Sequence, residues 1–448
     1  MNSYKGINVL IFGLGLNQGG VGSAKFFATQ GANVRVTDLK SEEILKPSID
    51  LLKEFPKIEY SLGEHKNDDI DWADLIIKNP SVKSGNIYIE YAKSKGKKIE
   101  TDMGIFFNLV DKSKIIGVTG TKGKSTTASL IYEAFKAGGK KTILAGNIGK
   151  SVLDSIPLIQ KDTLVVLEIS SFQLEGLSSH KVSPKYAVVT NIYPDHLNYY
   201  PGMLEYISAK RLITQFQTND DYLFLNKDDV TLNNPKFITG LSANIIFYSK
   251  SDLPGDLPAG RQGFNPTLMG EHNLENMAAA LKVVQIFGLD EKQILQALSD
   301  FKGVPFRMEL IRTWNGVKII NDTTATTPDA AIAALKSFNE KIILICGGMN
   351  KGMDYKKLGQ TIDDHAKAVY FLEGDIVDEI IENFGNQSVI KGRFNNFEEL
   401  LLKLKDDLGG DLKEDIILFS PAGTSYNLFQ NEFDRGRQFN KAVEKIFQ

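Results

Sequence analysis

Short apolar runs alternate with amphipathic helical patterns along the whole chain. Strands that alternate with helices in sequence form parallel sheets through right-handed crossovers, so this pattern predicts an α/β fold. The 448 residues correspond to about three domains at roughly 150 residues each. The runs that predict buried strands fall into three groups: 9–12, 34–37 and 75–77; then 115–118, 142–144, 164–167 and 187–189; then 342–345, 368–372 and 416–419.

Charged and Pro/Gly-rich stretches between these groups predict the domain boundaries. The charged stretch 93–102 leads into a new strand, and FKGVPF at 301–306 separates two periodic regions. We therefore predict domains at 1–102, 103–303 and 304–448. The segment 251–266 is rich in Pro and Gly and predicts an exposed loop or insertion in the middle domain.

Composition excludes several classes of partner and site. The formal charge of −3 gives no basic field that would attract nucleic acid or an anionic membrane, and no apolar stretch reaches about 18 residues. The chain has one cysteine, Cys346, so a disulfide within the chain and a cysteine-rich metal site are both excluded. The N-terminal sequence lacks the pattern of a signal peptide. We expect a cytoplasmic protein that binds small molecules.

The sequence GVTGTKGKSTT at 117–127 is the strongest functional signal, because it follows a predicted strand and opens a predicted helix. Backbone N–H groups in such a turn cradle phosphates, a lysine at position 124 reaches the β- and γ-phosphates, and the Ser125 hydroxyl binds Mg²⁺. A strict Walker motif would have glycine at position 118; here Val118 stands there and the glycine is Gly120. The pattern therefore predicts a P-loop variant with its own spacing.

Polar residues follow other strands at the same predicted edge of the middle sheet. Glu168 ends the strand at 164–167 and suits Mg²⁺, which prefers oxygen ligands, although a strand-end carboxylate also caps helices. His196 follows a Pro turn after 187–189, and Lys210 is expected near the start of a helix. By themselves, a lone histidine and a lone lysine are more often structural or solvated. Asn273 and Asn276 share one face of a predicted helix, where two amides can recognise a purine or simply begin the helix.

The outer domains carry weaker signals. Gly13-Leu14-Gly15 after the first strand nearly matches a dinucleotide-binding turn, with Asp38 closing the next strand where a ribose-binding acid would lie. In the last domain, the segments 319–328, 346–354 and 420–436 are predicted at carboxyl ends of strands, the edge at which open α/β sheets bind ligands. Ordinary turns also explain each of these three segments.

Taken in order, these motifs resemble the Mur ligases over essentially the whole chain. The resemblance rests on GLGLNQGG, GTKGKST, SSFQLE, PDH, SAK, GEHNLEN, FRME, SPAGTS and FDRG, and it points to the branch that adds D-glutamate to UDP-N-acetylmuramoyl-L-alanine. It implies a Rossmann-like N-terminal domain for the UDP-sugar, a P-loop-type central domain for ATP and a Rossmann-like C-terminal domain for the amino acid. It further implies a monomer that takes part in cell-wall synthesis.

The resemblance also implies roles for individual residues. The catalytic residues are Lys124, His196 and Lys210. The ATP contacts are Gly120, Thr121, Lys122, Gly123, Lys124, Ser125, Thr126, Asn273, Asn276, Arg307 and Asp322. The UDP-sugar contacts are Leu16, Asn17, Asp38, Asn147, Ser170 and Gln173. The amino-acid contacts are Thr326, Lys351 and Ser425. The ligands of two Mg²⁺ ions are Ser125, Glu168, His196 and Lys210, the last of these as a carbamate.

Departures from the family pattern cluster in the amino-acid domain. Thr323-Thr324-Ala325-Thr326 stands where the family has Ser-Lys-Ala-Thr, Met349-Asn350 occupies the family's aspartate-like position, and Phe433 is displaced by Glu432. In the first domain, Lys40 stands where the family often has arginine. The three departures in the amino-acid domain leave ligation of L-glutamate open. A P-loop small-molecule kinase and a non-catalytic UDP-sugar-binding regulator also remain as alternatives.

Overall fold

The computed structural model divides the protein into two compact units, one ending at Phe301 and the other containing the residues from 303 onward. The described residues are 4–16, 18–83, 85–146, 151–196, 199–253, 271–301, 303–350, 353–409, 415–425 and 428–448. The first unit carries two β-sheets and the second carries one.

The first sheet is parallel and has the strand order β3-β2-β1-β4-β5. Its strands are β1 (Asn8–Phe12), β2 (Asn33–Asp38), β3 (Glu59–Leu62), β4 (Leu75–Lys78) and β5 (Lys98–Glu100). The accompanying helices are α1 (Gly19–Thr29), α2 (Glu42–Asp50), α3 (Asn67–Trp72), α4 (Ile87–Ser94) and α5 (Asp102–Leu109). The strand order reverses between β1 and β4, and ligands of open α/β sheets bind at the carboxyl ends of strands beside such a reversal.

The second sheet is also parallel, with the order β11-β10-β9-β6-β8-β7. Its strands are β6 (Ile115–Thr119), β7 (Thr142–Gly146), β8 (Leu164–Glu168), β9 (Tyr186–Val189), β10 (Tyr222–Asn226) and β11 (Asn244–Tyr248). Its helices are α6 (Lys124–Ala137), α7 (Ser171–Glu175), α8 (Met203–Arg211), α9 (Pro235–Ile238), α10 (Glu271–Gln285) and α11 (Glu291–Ser299). Strand β6 lies between β8 and β9, so the loops after all three meet at one edge.

The third sheet has the order β12-β13-β17-β14-β15-β16 and is parallel except for the antiparallel pair β12–β13. Its strands are β12 (Glu309–Trp314), β13 (Val317–Asn321), β14 (Ile342–Gly347), β15 (Ala366–Leu372), β16 (Ile390–Phe394) and β17 (Ile416–Ala422). Its helices are α12 (Pro328–Leu335), α13 (Lys356–His365), α14 (Ile376–Glu382), α15 (Phe397–Leu408) and α16 (Glu432–Ile446).

Apolar residues on both faces of the strands explain why helices cover each sheet. Every residue of β6 and of β14 is buried, as expected for parallel strands that lie between helical layers. In α6 the apolar face at Ala128, Ile131 and Phe135 is buried, and the helix ends before Gly138. The predicted α/β architecture with three mostly parallel sheets is therefore confirmed.

One local prediction is wrong. Lys210 was expected near the start of a helix, but α8 begins at Met203, so Lys210 lies in its last turn. The helix begins directly after Pro201 and Gly202, which end the preceding loop. This shift matters for function, because it brings the lysine to the carboxyl edge of the second sheet.

The predicted domain boundaries near 103 and 304 stay predictions, and most of the segment 251–266 lies outside the described residues. Among the residues that the structure describes, no helix combines the length and apolar character that crossing a membrane requires.

Candidate functional site

The loop between β6 and α6 has the backbone of a phosphate cradle. Gly120 and Gly123 adopt φ angles of +148° and +79°, a region that L side chains rarely enter. A Cβ atom on Gly123 would lie 2.5 Å from Oδ1 of Asn276, so this position also needs glycine for space. Helix α6 begins at Lys124, with Ser125 and Thr126 in its first turn. Its free N–H groups and dipole favour an anion at this point.

The residues after β9 hold this loop in place. The side-chain amide of Asn191 accepts a hydrogen bond from the Lys122 N–H at 2.8 Å and donates to the Lys122 carbonyl at 3.1 Å. The Thr190 hydroxyl donates to the same carbonyl at 2.6 Å, and the Thr121 N–H donates to the Asn191 carbonyl at 2.9 Å. Asn191 was missed by the sequence analysis, although its place directly after a strand, ahead of Pro194 and His196, was the available signal.

Two lysine amines meet at one carbonyl of the loop. Lys124 Nζ donates to the carbonyls of Gly120 and Thr121, each at 3.0 Å, and Lys210 Nζ donates to the Gly120 carbonyl at 2.8 Å. Lys210 is 2% exposed, and its nitrogen lies 4.5 Å from the centre of the Tyr206 ring. Burial, assisted by the charge of Lys124, lowers the pKa of Lys210 to about 7. The two lysine side chains thus lie close together at this edge of the sheet, where the negative charge of a bound polyphosphate would neutralise them.

Glu168 and His196 lie at the same edge. Glu168 is the last residue of β8, is 2% exposed and pairs with Val118 of β6 in the strand register. His196 follows β9 with a φ angle of +54°, and its ring packs against Phe172 with centroids 5.1 Å apart. Burial lowers the pKa of His196; the charge of Asp195 opposes this shift and that of Lys210 adds to it. A neutral imidazole keeps the lone pair that a metal needs.

These donors fit a magnesium ion that arrives with a nucleotide. Within the described ranges, no three His, Cys, Asp or Glu side chains form a group that could hold a metal ion by themselves. Mg²⁺ commonly takes one or two protein ligands and completes its shell with phosphate oxygens and water. Glu168, Ser125 and His196 offer carboxylate, hydroxyl and imidazole donors of the kind that such a partial shell uses, and their role as Mg²⁺ ligands stays a prediction.

Asn273 and Asn276 lie on α10, buried against the P-loop helix. Asn276 Oδ1 accepts from the Thr127 hydroxyl at 3.0 Å, and Asn276 Nδ2 donates to Asn273 Oδ1 at 3.2 Å. Gly123 also lies against the Asn276 side chain, so this amide contacts both the loop and helix α6. Their predicted contacts with ATP stay predictions.

The turn after β1 is closed by the residue that ends β2. Asp38 accepts hydrogen bonds from the N–H groups of Gly15 at 2.9 Å and of Lys40 at 3.0 Å. Asn79 directly follows β4, on the other side of the reversal in strand order, and the sequence analysis did not single it out. Its side-chain amide donates to the Gly13 carbonyl at 3.2 Å. Leu16 belongs to this turn, whereas the predicted contacts Asn17 and Asn147 lie outside the described residues.

Ser170 and Gln173 form the capping box of α7. The Gln173 N–H donates to the Ser170 hydroxyl at 3.3 Å, and the Ser170 N–H donates to Gln173 Oε1 at 3.0 Å. These bonds begin the helix that follows Glu168 and fix the direction of the chain there. A contact between either residue and a UDP-sugar stays a prediction.

The loops after β13 and β17 bring most of the other predicted residues to one edge of the third sheet. Asp322 is buried and accepts from the Ser420 hydroxyl at 2.9 Å and the Met308 N–H at 3.1 Å; burial raises its pKa to about 6. Ser425 is 2% exposed, and its hydroxyl has no hydrogen-bond partner among the described residues. A buried hydroxyl of this kind is suited to a bound ligand. Arg307 and Thr326 belong to the same unit, and Lys351 lies outside the described residues.

Arg435 on α16 joins these two loops, and the sequence analysis gave it no role. Its guanidinium, 1% exposed, donates to the hydroxyl and carbonyl of Thr323 and to the carbonyl of Gly423 at 2.9 to 3.0 Å. The segment that leads to Thr326 and the segment that leads to Ser425 are therefore tied to one side chain. The FDRG sequence was the available signal, but its partners are more than ten residues away in sequence.

Replacing Arg435 with methionine is expected to destabilise the protein by about 3 kcal/mol, because buried backbone carbonyls lose charged donors. Urea unfolding followed by circular dichroism measures the change. Arg437→Met on the same helix is the control, since the Arg437 side chain is exposed and its ion pair with Asp434 spans 3.7 Å. Equal stability of the two variants would contradict this role for Arg435.

Three family models match successive parts of the chain. They are the Mur ligase MurD-like N-terminal domain at residues 7–101, the Mur ligase middle domain at 118–284 and the Mur ligase glutamate ligase domain at 306–423. Each match contains one of the three sheets or most of it.

Curated relatives match over their full length. The UDP-N-acetylmuramoylalanine–D-glutamate ligase of Roseiflexus sp. (strain RS-1) is 37% identical, covering 98% of this chain and 99% of the relative. The enzyme of the same name from Clostridioides difficile (strain 630) is 33% identical, covering 99% of both.

Solved structures share the fold at lower sequence identity. UDP-N-acetylmuramate-alanine ligase MurC from Thermotoga maritima superposes with a TM-score of 0.55 at 20% identity, over 98% of this chain and 99% of that one. The MurF ligase of Thermotoga maritima in complex with ADP gives a TM-score of 0.51 at 18% identity, over 99% and 96% of the two chains.

Proposed function

The chain belongs to the Mur ligase family, and we propose that it is the ATP-dependent ligase that joins D-glutamate to UDP-N-acetylmuramoyl-L-alanine in peptidoglycan precursor synthesis. The observation that carries the proposal is the meeting of Lys124 and Lys210 at the Gly120 carbonyl inside a phosphate-binding loop. Family members use ATP and Mg²⁺, and the glycines, basic groups and oxygen donors of this loop fit both.

The chemistry requires activation of a carboxylate, which is a poor electrophile. The alanyl carboxylate of the UDP-sugar attacks the γ-phosphorus of ATP, ADP leaves, and an acyl phosphate forms. The amine of glutamate then attacks the acyl carbon, and inorganic phosphate leaves as the amide forms. Positioning and charge neutralisation account for catalysis of such steps, without a nucleophile from the protein.

The residues of the P-loop supply that neutralisation. Lys124 moves from the Gly120 and Thr121 carbonyls to the transferred phosphate, where it offsets the charge that develops as ADP leaves. The backbone N–H groups of Ser125 and Thr126, in the first turn of α6, bind the phosphates of ATP and orient them for in-line transfer. Ser125, Glu168 and His196 would hold the Mg²⁺ ion, which would supply Lewis-acid stabilisation of the phosphoryl oxygens.

We extend the proposal to a carbamate on Lys210 and a second Mg²⁺ ion. The Lys210 amine is buried beside a second positive charge, and these surroundings favour a neutral amine that can add to carbon dioxide and release a proton. The carbamate replaces a cation with two oxygens, which are the atoms that Mg²⁺ prefers.

The amino acid and the UDP-sugar are assigned to the outer sheets. Thr326 and Lys351 hold the α-carboxylate of D-glutamate, and Ser425 holds its side-chain carboxylate. The support for the role of Ser425 is that its hydroxyl is buried and has no hydrogen-bond partner among the described residues. The nucleotide diphosphate lies at the turn that Asp38 closes. On this assignment the domains are 1–102, 103–303 and 304–448, and the enzyme is a cytoplasmic monomer.

Product analysis tests the proposal most directly. The protein is incubated with ATP, Mg²⁺, UDP-N-acetylmuramoyl-L-alanine and, separately, D-Glu, L-Glu, D-Asp or meso-diaminopimelate, and amide product and phosphate are measured. We expect phosphate release at least about a hundredfold faster with D-Glu than with the others, because the wrong substrate leaves buried donors unpaired. Preference for L-Glu would overturn the stereochemical assignment alone. A phosphorylated product without amide would indicate a kinase, and binding without ATP turnover a regulator.

A further inference from the structure

The loop between β14 and α13 is closed by a network that begins at Asn350. Its backbone N–H donates to Asp375 Oδ1 at 2.5 Å, and its side-chain oxygen accepts from the Met353 N–H at 2.8 Å. Its side-chain nitrogen donates to the Met353 carbonyl at 3.3 Å and to Glu379 Oε2 at 3.1 Å. Asn350 is therefore bonded to Met353 and, through Asp375 and Glu379, to the first residue before α14 and to α14 itself.

Glu379 is the partner that uses both carboxylate oxygens on this loop. While Oε2 accepts from Asn350, Oε1 accepts from the Tyr355 N–H at 3.2 Å. A carboxylate can only accept, so residue 350 must present a donor to it. Glu379 is half-buried and belongs to α14. Gly374, two residues before this helix, packs closely against the loop, since a Cβ there would lie 2.0 Å from the Gly348 carbonyl oxygen.

The same loop is tied to the loop that carries Ser425. Met349 and Thr424 form an antiparallel bridge with reciprocal N–H to carbonyl bonds of 3.0 Å. The Tyr355 hydroxyl donates to the Ala422 carbonyl at 3.2 Å. The segment that Asn350 and Glu379 hold is thus bonded through Met349 and Tyr355 to the backbone of Thr424 and Ala422, in the loop that leads to Ser425.

We propose that Asn350 and Glu379 form a positioning pair that sets the affinity of the third sheet for the incoming dicarboxylic amino acid. The proposal rests on the ligase function proposed above, and it adds two residues that touch no reacting atom. The pair has a direction: the amide at 350 donates and the carboxylate at 379 accepts. Asn350 belongs to the Met349-Asn350 pair that occupies the family's aspartate-like position, and an aspartate at 350 would place two carboxylates about 3 Å apart on this loop.

The test is a reversal of the pair. Asn350→Asp alone is expected to raise the KM for D-glutamate at least about tenfold, because two facing carboxylates separate the loop from α14. Asn350→Asp combined with Glu379→Gln restores one donor facing one acceptor between positions 350 and 379 with the original net charge, and only the longer bond to the Met353 carbonyl at 3.3 Å stays lost. The double variant is expected to return the KM to within about threefold of the parent, a non-additive effect typical of residues in contact.

The KM values for the other substrates and a control variant distinguish a positioning effect from a general loss of structure. The KM values for ATP and for the UDP-sugar are expected to stay within about twofold in all variants, since the bonds of the pair go to Asp375, Met353 and Tyr355 and not to Arg307 or Asp322, the ATP contacts assigned to this unit. Asn396→Asp is the control, because it adds the same charge in that unit at the N-cap of α15, where aspartate is equally suitable. The thermal midpoint of each variant is recorded alongside.

The outcomes are distinct. Recovery of the D-glutamate KM in the double variant supports the pair. An unchanged KM in Asn350→Asp overturns it, as does a loss in that variant that the second substitution does not reverse. If Asn350→Asp does not fold, a folded double variant with near-parental KM supports the pair, and failure of both to fold overturns it. A parent protein that forms no amide with D-glutamate overturns the ligase function itself.

Discussion

Replacing Lys124 with alanine is expected to lower kcat by at least about a thousandfold while the fold is retained. The Lys124 amine is the cation at the first turn of α6, and removing one preorganised group that stabilises transition-state charge costs about two to three orders of magnitude or more. Lys210 Nζ also donates to the Gly120 carbonyl, so the loop keeps a donor to this carbonyl when Lys124 is replaced. Phosphate release and circular dichroism measure the two effects.

The matched control is Lys136→Ala, which removes an exposed lysine from the last turn of the same helix. We expect this variant to keep parental activity within about twofold, since an exposed lysine paired at i,i+3 contributes little. ADP formation at the parental rate by a folded Lys124→Ala protein would contradict the assignment of the P-loop.

Sequence patterns predict the sheets and the P-loop because the signals for both are local. The strand, the Gly-Lys-Ser triplet and the helix of residues 115–137 are contiguous, and each element is favoured by its neighbours in sequence. The same is true of Glu168, whose position at the end of an apolar run suffices to place it at the edge of the sheet.

The supports of the site are not local, which is why they were missed. Asn191 contacts Lys122 from 69 residues away, and Arg435 contacts Thr323 from 112 residues away. Spacing along one strand or helix carries no information about such pairs. The predicted position of Lys210 was wrong for a related reason. A helical stretch was expected around Lys210, but its first residue depended on the turn at Gly202.

The strongest test of the second metal site concerns Lys210. Lys210→Ala is expected to lower kcat by about a hundredfold to a thousandfold, because the carbamate oxygens that the proposal assigns to Mg²⁺ are lost. Truncation also leaves space beside Tyr206 and the Gly120 carbonyl, both of which the amine contacts in the structure. A short carboxylic acid such as formate or acetate fits there and supplies the missing oxygens, so added acid is expected to restore part of the activity.

Lys210→Arg separates the carbamate from the hydrogen bond that the structure contains. Arginine keeps a positive charge and donors for the Gly120 carbonyl, but it stays protonated and does not form a carbamate. If the hydrogen bond were the function of Lys210, the arginine variant would retain activity; because the proposal assigns that function to the carbamate, we expect it to be as inactive as the alanine variant. Turnover of both variants is measured with and without acetate. Parental activity in Lys210→Arg would contradict the carbamate, and so would a lack of recovery of Lys210→Ala at every acid concentration.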